Sequence, residues 1–261
     1  MISLSNYLQQ IPTVDGHIHL FNYTDFVESP LKFDKQVCFM DVEFDKEGNA
    51  EEAYDRFIKE KYNSRKHILL CTAQDPADIA SIFKNHKNSF QGFGELKLYD
   101  KYQDQEVPYK KISYLRTICK LSAENGNLPV YVHWELTSDS HIKFFENVLK
   151  SYPQVPIVLC HCGMNGENNA DAYYQCQRLA QTYDNLWLDI SYVALDYFAK
   201  EPMKLCNLPM NKLIVGSDLN NKIFGPNHVP EDIEHISRNL DVVRSHINSD
   251  KNICNLFPHM D

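Results

Sequence analysis

The sequence predicts an α/β protein with a slightly distorted (β/α)8 TIM-barrel fold and a single domain over residues 1–261. Three observations favour this fold class. Eight short apolar runs recur along the chain, segments with helical periodicity separate them, and successive runs are about 22 to 35 residues apart, close to one strand-plus-helix unit. The length of 261 residues also suits such a barrel, which typically takes about 250 residues.

The predicted strands have near-continuous apolar cores, as expected of strands that are covered on both faces. Strands that alternate with helices form parallel sheets, because a parallel return needs a crossover connection. No linker rich in Gly, Ser or Pro divides the chain, which favours a closed barrel, and no G-x-G-x-x-G follows the first strand. In chain order the strands are TVDGHIHLF (13–21), KQVCFMDV (35–42), HILLCTAQ (67–74), FGELKLY (93–99), LPVYVHW (128–134), VPIVLCHC (155–162), NLWLDISY (185–192) and KLIVGSDL (212–219).

The segments between the strands carry helix signals. Apolar residues recur at helical spacing from Ile142 to Leu149 and from Ile233 to Ile247, and Asp75 with Pro76 is typical of an N-cap and first helical position. Residues 21–35 lack this periodicity, so we expect an extended or partly helical loop there. The last segment, SDKNICNLFPHMD, predicts a short C-terminal helix or cap.

Composition and charge narrow the class of protein. With 43% hydrophobic and 23% charged residues, the chain resembles globular proteins that bury a sizeable core. The formal net charge of -9 disfavours nucleic acid and anionic membranes as partners, because both are polyanions. The sequence shows neither a membrane-spanning run nor a targeting leader. We therefore expect a cytoplasmic protein that acts on a small molecule, and a monomer and a homo-oligomer are both compatible with the sequence.

The eight cysteines lack the spacing of a disulfide framework and favour reduced, mostly buried thiols. Cys160 and Cys162 flank His161. Alternation along a strand predicts that both thiols point away from the face that His161 uses. A zinc ribbon is therefore not expected from this pair.

Side chains that can bind a metal or transfer a proton stand at the ends of five predicted strands. In a parallel barrel these carboxyl ends meet at one face, and alternation directs residues two apart into the same interior. Any one of these residues could instead be a packing residue, a surface residue or a helix cap. Taken together, however, they predict one functional site. Its members are His17 and His19 in the first strand, Glu95 and Lys97 in the fourth, His133 in the fifth, His161 in the sixth and Asp218 in the eighth.

Histidines and carboxylates in one barrel mouth predict a site for one or two divalent metal ions, with zinc as first choice and Mn, Fe or Ni as alternatives. Such an ion acidifies water and polarises a carbonyl or ester oxygen. Asp218 is suited to bind the metal and accept a proton, and His161 to orient or polarise the scissile group. Glu95 or Lys97 can bridge a second metal, Lys97 only when carbamylated. Otherwise Lys97 is a partner for a substrate carboxylate or for Asp218.

Over nearly its whole length the sequence resembles the amidohydrolase superfamily, and most of all its Amidohydrolase-2 branch. The ordered landmarks are VDGHIHLF, GFGELKLYD, PVYVHWE, VLCHCGMNG, NLWLDIS, LIVGSDLN and NICNLF. The resemblance implies a (β/α)8 barrel with a metal bound by His17, His19, His133 and Asp218, and it implies His161 as a second-metal ligand or a catalytic group. The triplet GEL resembles the bridging-glutamate motif of the TatD-like branch, whereas KLYDKYQ resembles the Amidohydrolase-2 pattern, so both one and two metals are compatible with it.

The leading functional hypothesis is a metal-dependent hydrolase that cleaves a C-N or C-O bond, in an amide, lactone or ester, of a small molecule by a metal-activated water. The alternative is a metal-dependent, non-hydrolytic decarboxylase of an aromatic or unsaturated carboxylic acid, which the resembled branch also includes. A third hypothesis is a non-catalytic barrel that binds a ligand. Specificity is expected in the loops after the strands, with Phe21, Tyr23, Tyr99, Tyr102, Trp134, Asn165, Tyr192 and Asn220 as candidates.

Overall fold

A computed structural model of the chain describes residues 13–20, 31, 33–40, 50–73, 76–98, 109–136, 138–166, 169–220 and 230–258. The strands are β1 (Val14–Leu20), β2 (Lys35–Met40), β3 (His67–Cys71), β4 (Phe90–Lys97), β5 (Val130–His133), β6 (Ile157–Leu159), β7 (Leu186–Ile190), β8 (Leu213–Val215) and β9 (Leu219–Asn220). The helices are α1 (Ala50–Glu60), α2 (Pro76–Asn85), α3 (Tyr109–Glu124), α4 (Asp139–Ser151), α5 (Asn169–Thr182), α6 (Tyr192–Lys200), α7 (Pro230–Arg244) and α8 (Ser249–Leu256).

The strands form one parallel barrel, as the sequence predicted. Their order is β8-β7-β6-β5-β4-β3-β2-β1-β9, and each neighbouring pair is parallel. The eighth predicted strand is split into β8, where Leu213 pairs with Leu188 of β7, and β9, where Leu219 pairs with Ile18 of β1. These two short segments together close the barrel, so the (β/α)8 fold class is confirmed.

Two hydrophobic clusters follow from alternation along the strands. One fills the barrel interior and includes Val37, Phe39, Tyr131 and Ile214. The larger one lies between the barrel and the surrounding helices and includes residues that alternate with the first set, such as Ile18. Burial on both faces explains why the strands are nearly continuous apolar runs.

The predicted C-terminal helix is α8, which packs on β8 and β1. The Val14 backbone N–H donates to Asp250 Oδ1 at 2.9 Å, and the Val215 N–H donates to Ser249 Oγ at 2.8 Å. Ile253 of α8 joins the interior cluster. The barrel is therefore covered at the end where β1 begins, and the opposite end carries the polar strand termini.

Two glycines allow β1 and the eighth strand to approach each other closely. A Cβ on Gly216 would lie 2.5 Å from the backbone nitrogen of His17, and one on Gly16 would lie 2.8 Å from the carbonyl oxygen of Val215. Both distances are shorter than van der Waals contact, so a larger residue would push the strands apart. The Asp218 N–H donates to the His17 carbonyl at 2.9 Å, which holds these two predicted site residues together.

Some expectations fall on residues outside the described ranges, including most of the loop at 21–35 and the cap Asp75. The helix that was predicted to begin at Pro76 does begin there. Among the described residues, none of the helices combines the length and the apolar character needed to cross a membrane.

Candidate metal centre

The polar strand termini meet at one end of the barrel. His17 and His19 come from β1 and Glu95 from β4. The other three members of the cluster are His133, the last residue of β5, His161, two residues after β6, and Asp218, between β8 and β9. The structure thus brings together all six residues that were predicted as metal ligands.

The first group consists of His17, His19 and Asp218. The Nε2 atoms of the two imidazoles are 3.1 Å apart, and Asp218 Oδ1 lies 3.3 Å from Nε2 of His17 and 3.2 Å from Nε2 of His19. His17 is fully buried and His19 is 7% exposed. Three ligand atoms of compatible type therefore converge on one point.

The second group consists of Glu95, His133 and His161. Glu95 Oε1 lies 2.9 Å from Nδ1 of His133 and 3.5 Å from Nε2 of His161. The other oxygen, Oε2, lies 3.4 Å from Nε2 of His19. The Glu95 carboxylate therefore lies between the two groups and contacts both.

Local backbone irregularities aim these side chains. Between Asp15 and Ile18 of β1, and between Phe93 and Leu96 of β4, the register shifts by one residue relative to the neighbouring strand. Such bulges redirect a side chain beside a functional site. In both strands the shift immediately precedes or includes a ligand residue, His17 or Glu95.

Residues with positive φ mark three of the strand ends. His161 (φ 53°), Asp218 (φ 57°) and Tyr192 (φ 49°) all adopt the left-handed conformation, which residues other than glycine seldom use. Such backbone strain is found preferentially at functional sites. Here it turns two of the predicted ligands inward directly after their strands.

The buried Glu95 carboxylate fits a metal ligand. Neither of its oxygens has a hydrogen-bond partner in acceptable geometry among the described residues, although four imidazoles surround it. Burial would raise the pKa of Glu95, but His133 and His161 outweigh it and hold that pKa well below its ordinary value. An ionised carboxylate that is buried this deeply needs positive charge nearby.

The electrostatic field of the site also favours a cation. Burial lowers the pKa of His17, but the charges of Asp189, Asp218 and Glu95 outweigh it and raise that pKa to about 10. Burial raises the pKa of Asp218, yet His17 and His19 lower it to about 2. The carboxylates that stabilise a proton on His17 would equally stabilise a metal ion. Four imidazoles and two carboxylates are a donor set that suits zinc or a similar divalent metal.

The direction predicted for the two cysteine thiols is wrong for Cys160. Strand β6 ends at Leu159, and residues 160–163 form a tight turn in which His161 and Cys162 have positive φ. Cys160 Sγ lies within 4.8 Å of ligand atoms of His17 and Glu95, whereas Cys162 Sγ donates to the Asp189 carbonyl. Cys160 continues the alternation of β6, since it joins the interior cluster with Val158 whereas Leu159 joins the outer one. The positive φ of His161 and Cys162 then brings His161 to the same interior.

Lys97 is the last residue of β4, half-buried, and pairs in register with His133. Lys97 follows Glu95 by two residues along β4. The carboxylate of Glu95, and not Lys97, lies between the two histidine groups. The role of Lys97 toward a substrate carboxylate or Asp218 stays a prediction.

Of the residues expected to determine specificity, some lie beside the site, some do not, and the others are outside the described ranges. Tyr192 is 61% exposed and its ring centroid lies 5.7 Å from that of His161, so it stands beside the site. Trp134 instead is buried, with its ring 5.1 Å from that of Phe144, because β5 ends one residue before it. Asn165 donates to Glu135 Oε2 at 3.1 Å. Phe21, Tyr23, Tyr99, Tyr102 and the side chain of Asn220 lie outside the described residues.

Sequence reasoning missed Asp189 and Ser191, at and after the end of β7. Asp189 Oδ2 lies 2.8 Å from Nδ1 of His17, and both residues are fully buried. The signal was present in NLWLDIS, where a carboxylate interrupts an apolar strand near its carboxyl end. In metal sites, a carboxylate often accepts a hydrogen bond from the second ring N–H of a metal-binding histidine, and Asp189 is placed to do this for His17.

No protein-family model matches the sequence, and no curated protein sequence matches it. Solved structures share its fold. A protein from Acinetobacter baumannii, named as a 2-pyrone-4,6-dicarboxylic acid hydrolase and solved with citric acid bound, aligns with a TM-score of 0.57 and 14% identity over 94% of this chain and 99% of its own. Amidohydrolase 2 from Bifidobacterium longum subsp. infantis aligns with a TM-score of 0.52 and 13% identity, over 94% and 99% of the two chains.

A TatD-family hydrolase from Entamoeba histolytica aligns with a TM-score of 0.51 and 10% identity, over 79% of this chain and 80% of its own. These likenesses confirm the predicted barrel. The structures that share this barrel include an Amidohydrolase 2 protein and a TatD-family hydrolase.

Proposed function

We propose that this chain is an amidohydrolase-type, metal-dependent hydrolase that cleaves an amide, lactone or ester bond of a small molecule. The observation that carries the proposal is the position of Glu95, whose two oxygens reach toward two separate histidine groups. A divalent cation, when bound, supplies Lewis acidity that acidifies water and polarises a carbonyl oxygen.

The ligand assignment follows from the two groups. His17, His19 and Asp218 would hold one ion, His133 and His161 a second, and Glu95 would bridge them. This arrangement favours two metals over one, and Glu95 over a carbamylated Lys97 as the bridge. Zinc suits the donor set best, with Mn, Fe or Ni as alternatives.

The chain's own residues would perform the remaining tasks. Asp218, whose pKa is about 2, is ionised at neutral pH, so it can bind metal and accept a proton from the attacking water. His161 faces the site from the β6 turn and would orient or polarise the scissile group. Lys97, at the end of β4, would hold a substrate carboxylate.

The substrate class is expected to carry a carboxylate. One protein of the same fold is named as a probable dicarboxylic acid hydrolase and was solved with citric acid bound, and this chain carries Lys97 at the carboxyl end of β4. Six of the eight cysteines are buried and all are free thiols, which suits a reducing compartment and supports cytoplasmic localisation.

The proposal is tested by metal content, measured by plasma mass spectrometry on protein purified without chelator. We expect about two equivalents of zinc or a similar ion per chain in the wild type, and fewer than half as many in the His17→Ala, His19→Ala double variant. His246→Ala, which removes an exposed histidine, is the matched control and should keep the wild-type content. No metal in the wild type after reconstitution would overturn the proposal.

A screen for enzymatic activity distinguishes hydrolysis from the alternative reaction, decarboxylation. Lactones, amides and esters of carboxylic acids are screened in oxygen-18 water, and one labelled oxygen is expected in the carboxylic acid that forms and none in the alcohol or amine that leaves. Release of carbon dioxide with no labelled oxygen in the organic product would assign the metal-dependent decarboxylase instead.

A further inference from the structure

The end of β7 faces the site as well and lies outside the two groups described above, although its carboxylate is within 4.8 Å of ligand atoms of His17 and His161. It carries Asp189, and Ser191 follows immediately after the strand. Both residues are fully buried. Their polar atoms lie beneath the imidazoles of His17 and His161, one histidine from each group.

These side chains form a continuous chain of short contacts. Asp189 Oδ2 lies 2.8 Å from Nδ1 of His17 and 2.7 Å from Ser191 Oγ. Ser191 Oγ in turn lies 2.9 Å from Nδ1 of His161. The backbone N–H of His161 also donates to Asp189 Oδ2, at 3.4 Å.

The donors and acceptors in this chain can be assigned from chemistry. A carboxylate only accepts, so Nδ1 of His17 and Oγ of Ser191 must both donate to Asp189. A hydroxyl has a single hydrogen, and Ser191 has used its own on Asp189. It must therefore accept from His161, which places a hydrogen on Nδ1 of that imidazole as well.

We propose that Asp189 and Ser191 are a positioning pair that fixes the Nδ1-protonated tautomer of His17 and His161 together. The Nε2 lone pairs of both imidazoles then face the site, where Nε2 of His17 is 3.3 Å from Asp218 and Nε2 of His161 is 3.5 Å from Glu95. The end of β7 thus leaves the Nε2 lone pair of one histidine in each group available to a metal ion. The metal-binding consequence rests on the function proposed above, whereas the tautomer assignment rests on geometry alone.

A role in helix capping does not account for Ser191. It occupies the N-cap position of α6, yet its side chain makes no capping hydrogen bond. The backbone carbonyl of Ser191 accepts from the N–H groups of Ala194 and Leu195 instead. Removing the hydroxyl therefore leaves the start of the helix intact and affects the site.

The tautomers are read by NMR on protein labelled with nitrogen-15 histidine, in the metal-free and zinc-loaded forms. In the wild type we expect a slowly exchanging Nδ1 proton on both His17 and His161. Ser191→Ala should speed the exchange of the His161 proton, which keeps only the Ser191 carbonyl oxygen at 3.3 Å as acceptor, and should keep the slow exchange of His17, whereas Asp189→Asn should affect His17 first. Ser122→Ala is the control, because it removes another buried serine hydroxyl, which donates to the Leu128 carbonyl away from the site.

Zinc affinity, measured by competition with a chelator, is the second readout. Ser191→Ala and Asp189→Asn are each expected to weaken zinc binding by about 10- to 100-fold, while Ser122→Ala stays within about twofold of the wild type. Circular dichroism first confirms that each variant is folded, and Ser191→Ala alone carries the test should Asp189→Asn fail to fold.

The failures of the two proposals are distinguishable. An Nδ1 atom of His17 or His161 that carries no proton in the wild type, or unchanged exchange and unchanged zinc affinity in Ser191→Ala, overturns the positioning role. A wild-type protein that binds no zinc overturns the proposed function, and the spectra of its metal-free form still show whether both Nδ1 atoms carry a proton.

Discussion

Oε1 of Glu95 lies 2.9 Å from Nδ1 of His133 across the neighbouring strands β4 and β5. The same carboxylate reaches His19 of β1 through its second oxygen. A single side chain therefore spans the barrel mouth from its first strand to its fifth. Because the two oxygens of one carboxylate can bind two cations, the proposed two-metal site rests on this relationship.

Replacement of Glu95 by glutamine tests that relationship. Glu95→Gln keeps the size of the side chain but removes one charge and one acceptor, so we expect metal content to fall from about two equivalents to one or none and activity to fall by at least 100-fold. Plasma mass spectrometry and steady-state kinetics measure the two effects. A variant that retains two tightly bound ions would exclude a bridging role. Glu146→Gln, on α4 and away from the site, is the control.

Removal of the metal should lower thermal stability. A ligand that binds the folded state at about 1,000 times its Kd contributes about 4 kcal/mol, which corresponds to a change in Tm on the order of 10 °C for a chain of this size. Differential scanning calorimetry before and after chelation measures the change. The His17→Ala, His19→Ala double variant should not respond to chelator. An equal response there would attribute the loss to another site or to the chelator itself.

Gly216→Ala is expected to be strongly destabilising, because its Cβ would lie 2.4 Å from Cβ of His17. A clash with a strand of the closed barrel should cost about 3 kcal/mol or more and should weaken metal binding by displacing His17. Denaturant unfolding measures the cost. Gly126→Ala is the control, since nothing lies within 4 Å of its Cβ position and only the backbone cost of its positive φ, about 1 kcal/mol, remains. Equal costs for both would contradict the close-approach argument.

Tyr131→Phe is expected to leave stability unchanged or to raise it by up to about 1 kcal/mol. The Tyr131 hydroxyl is buried in the barrel interior and has no hydrogen-bond partner among the described residues. By contrast, the Tyr54 hydroxyl donates to the Leu70 carbonyl at 3.0 Å and accepts from the Thr72 N–H at 2.9 Å. Tyr54→Phe should therefore cost about 1 to 3 kcal/mol. A similar loss in Tyr131→Phe would reveal a bound water or group at that hydroxyl.

Most of the cysteines should resist thiol reagents in the folded protein. Burial raises the pKa of Cys38, Cys71 and Cys119, so at pH 8 these groups remain protonated and lack the nucleophilic thiolate. Cys206 is exposed and Cys254 is partly exposed. Titration with a chromogenic disulfide should therefore modify Cys206 first, and all eight thiols only after denaturation. Rapid modification that persists in Cys206→Ser and matches more than one thiol would contradict the buried arrangement.

Much of the candidate site could be predicted from the local pattern of the sequence. Histidines spaced by two lie on one face of a strand, and parallel strands of a barrel end at one face, so His17, His19 and His133 could be placed together before any coordinates. Cys160 shows the limit of that reasoning. Its thiol faces the same interior as His161 because the turn at His161 and Cys162 ends the alternation, and a left-handed backbone at two non-glycine residues has no reliable local signal.

The choice between Glu95 and Lys97 could not be made from spacing. Alternation assigns both to the same face, and only the contacts in the folded barrel place the Glu95 carboxylate between the histidine groups. Those contacts come from other strands, of which β5 lies more than thirty residues away in the sequence.

By itself, the sequence determined the (β/α)8 barrel and the ligand types at its strand ends, because hydrophobic periodicity and side-chain alternation are local properties of the chain. The tertiary structure alone decided that the Glu95 carboxylate joins two histidine groups and that Asp189 with Ser191 lies beneath one imidazole of each. Those contacts depend on strands that are distant in sequence, and their distances are set by how the closed barrel packs.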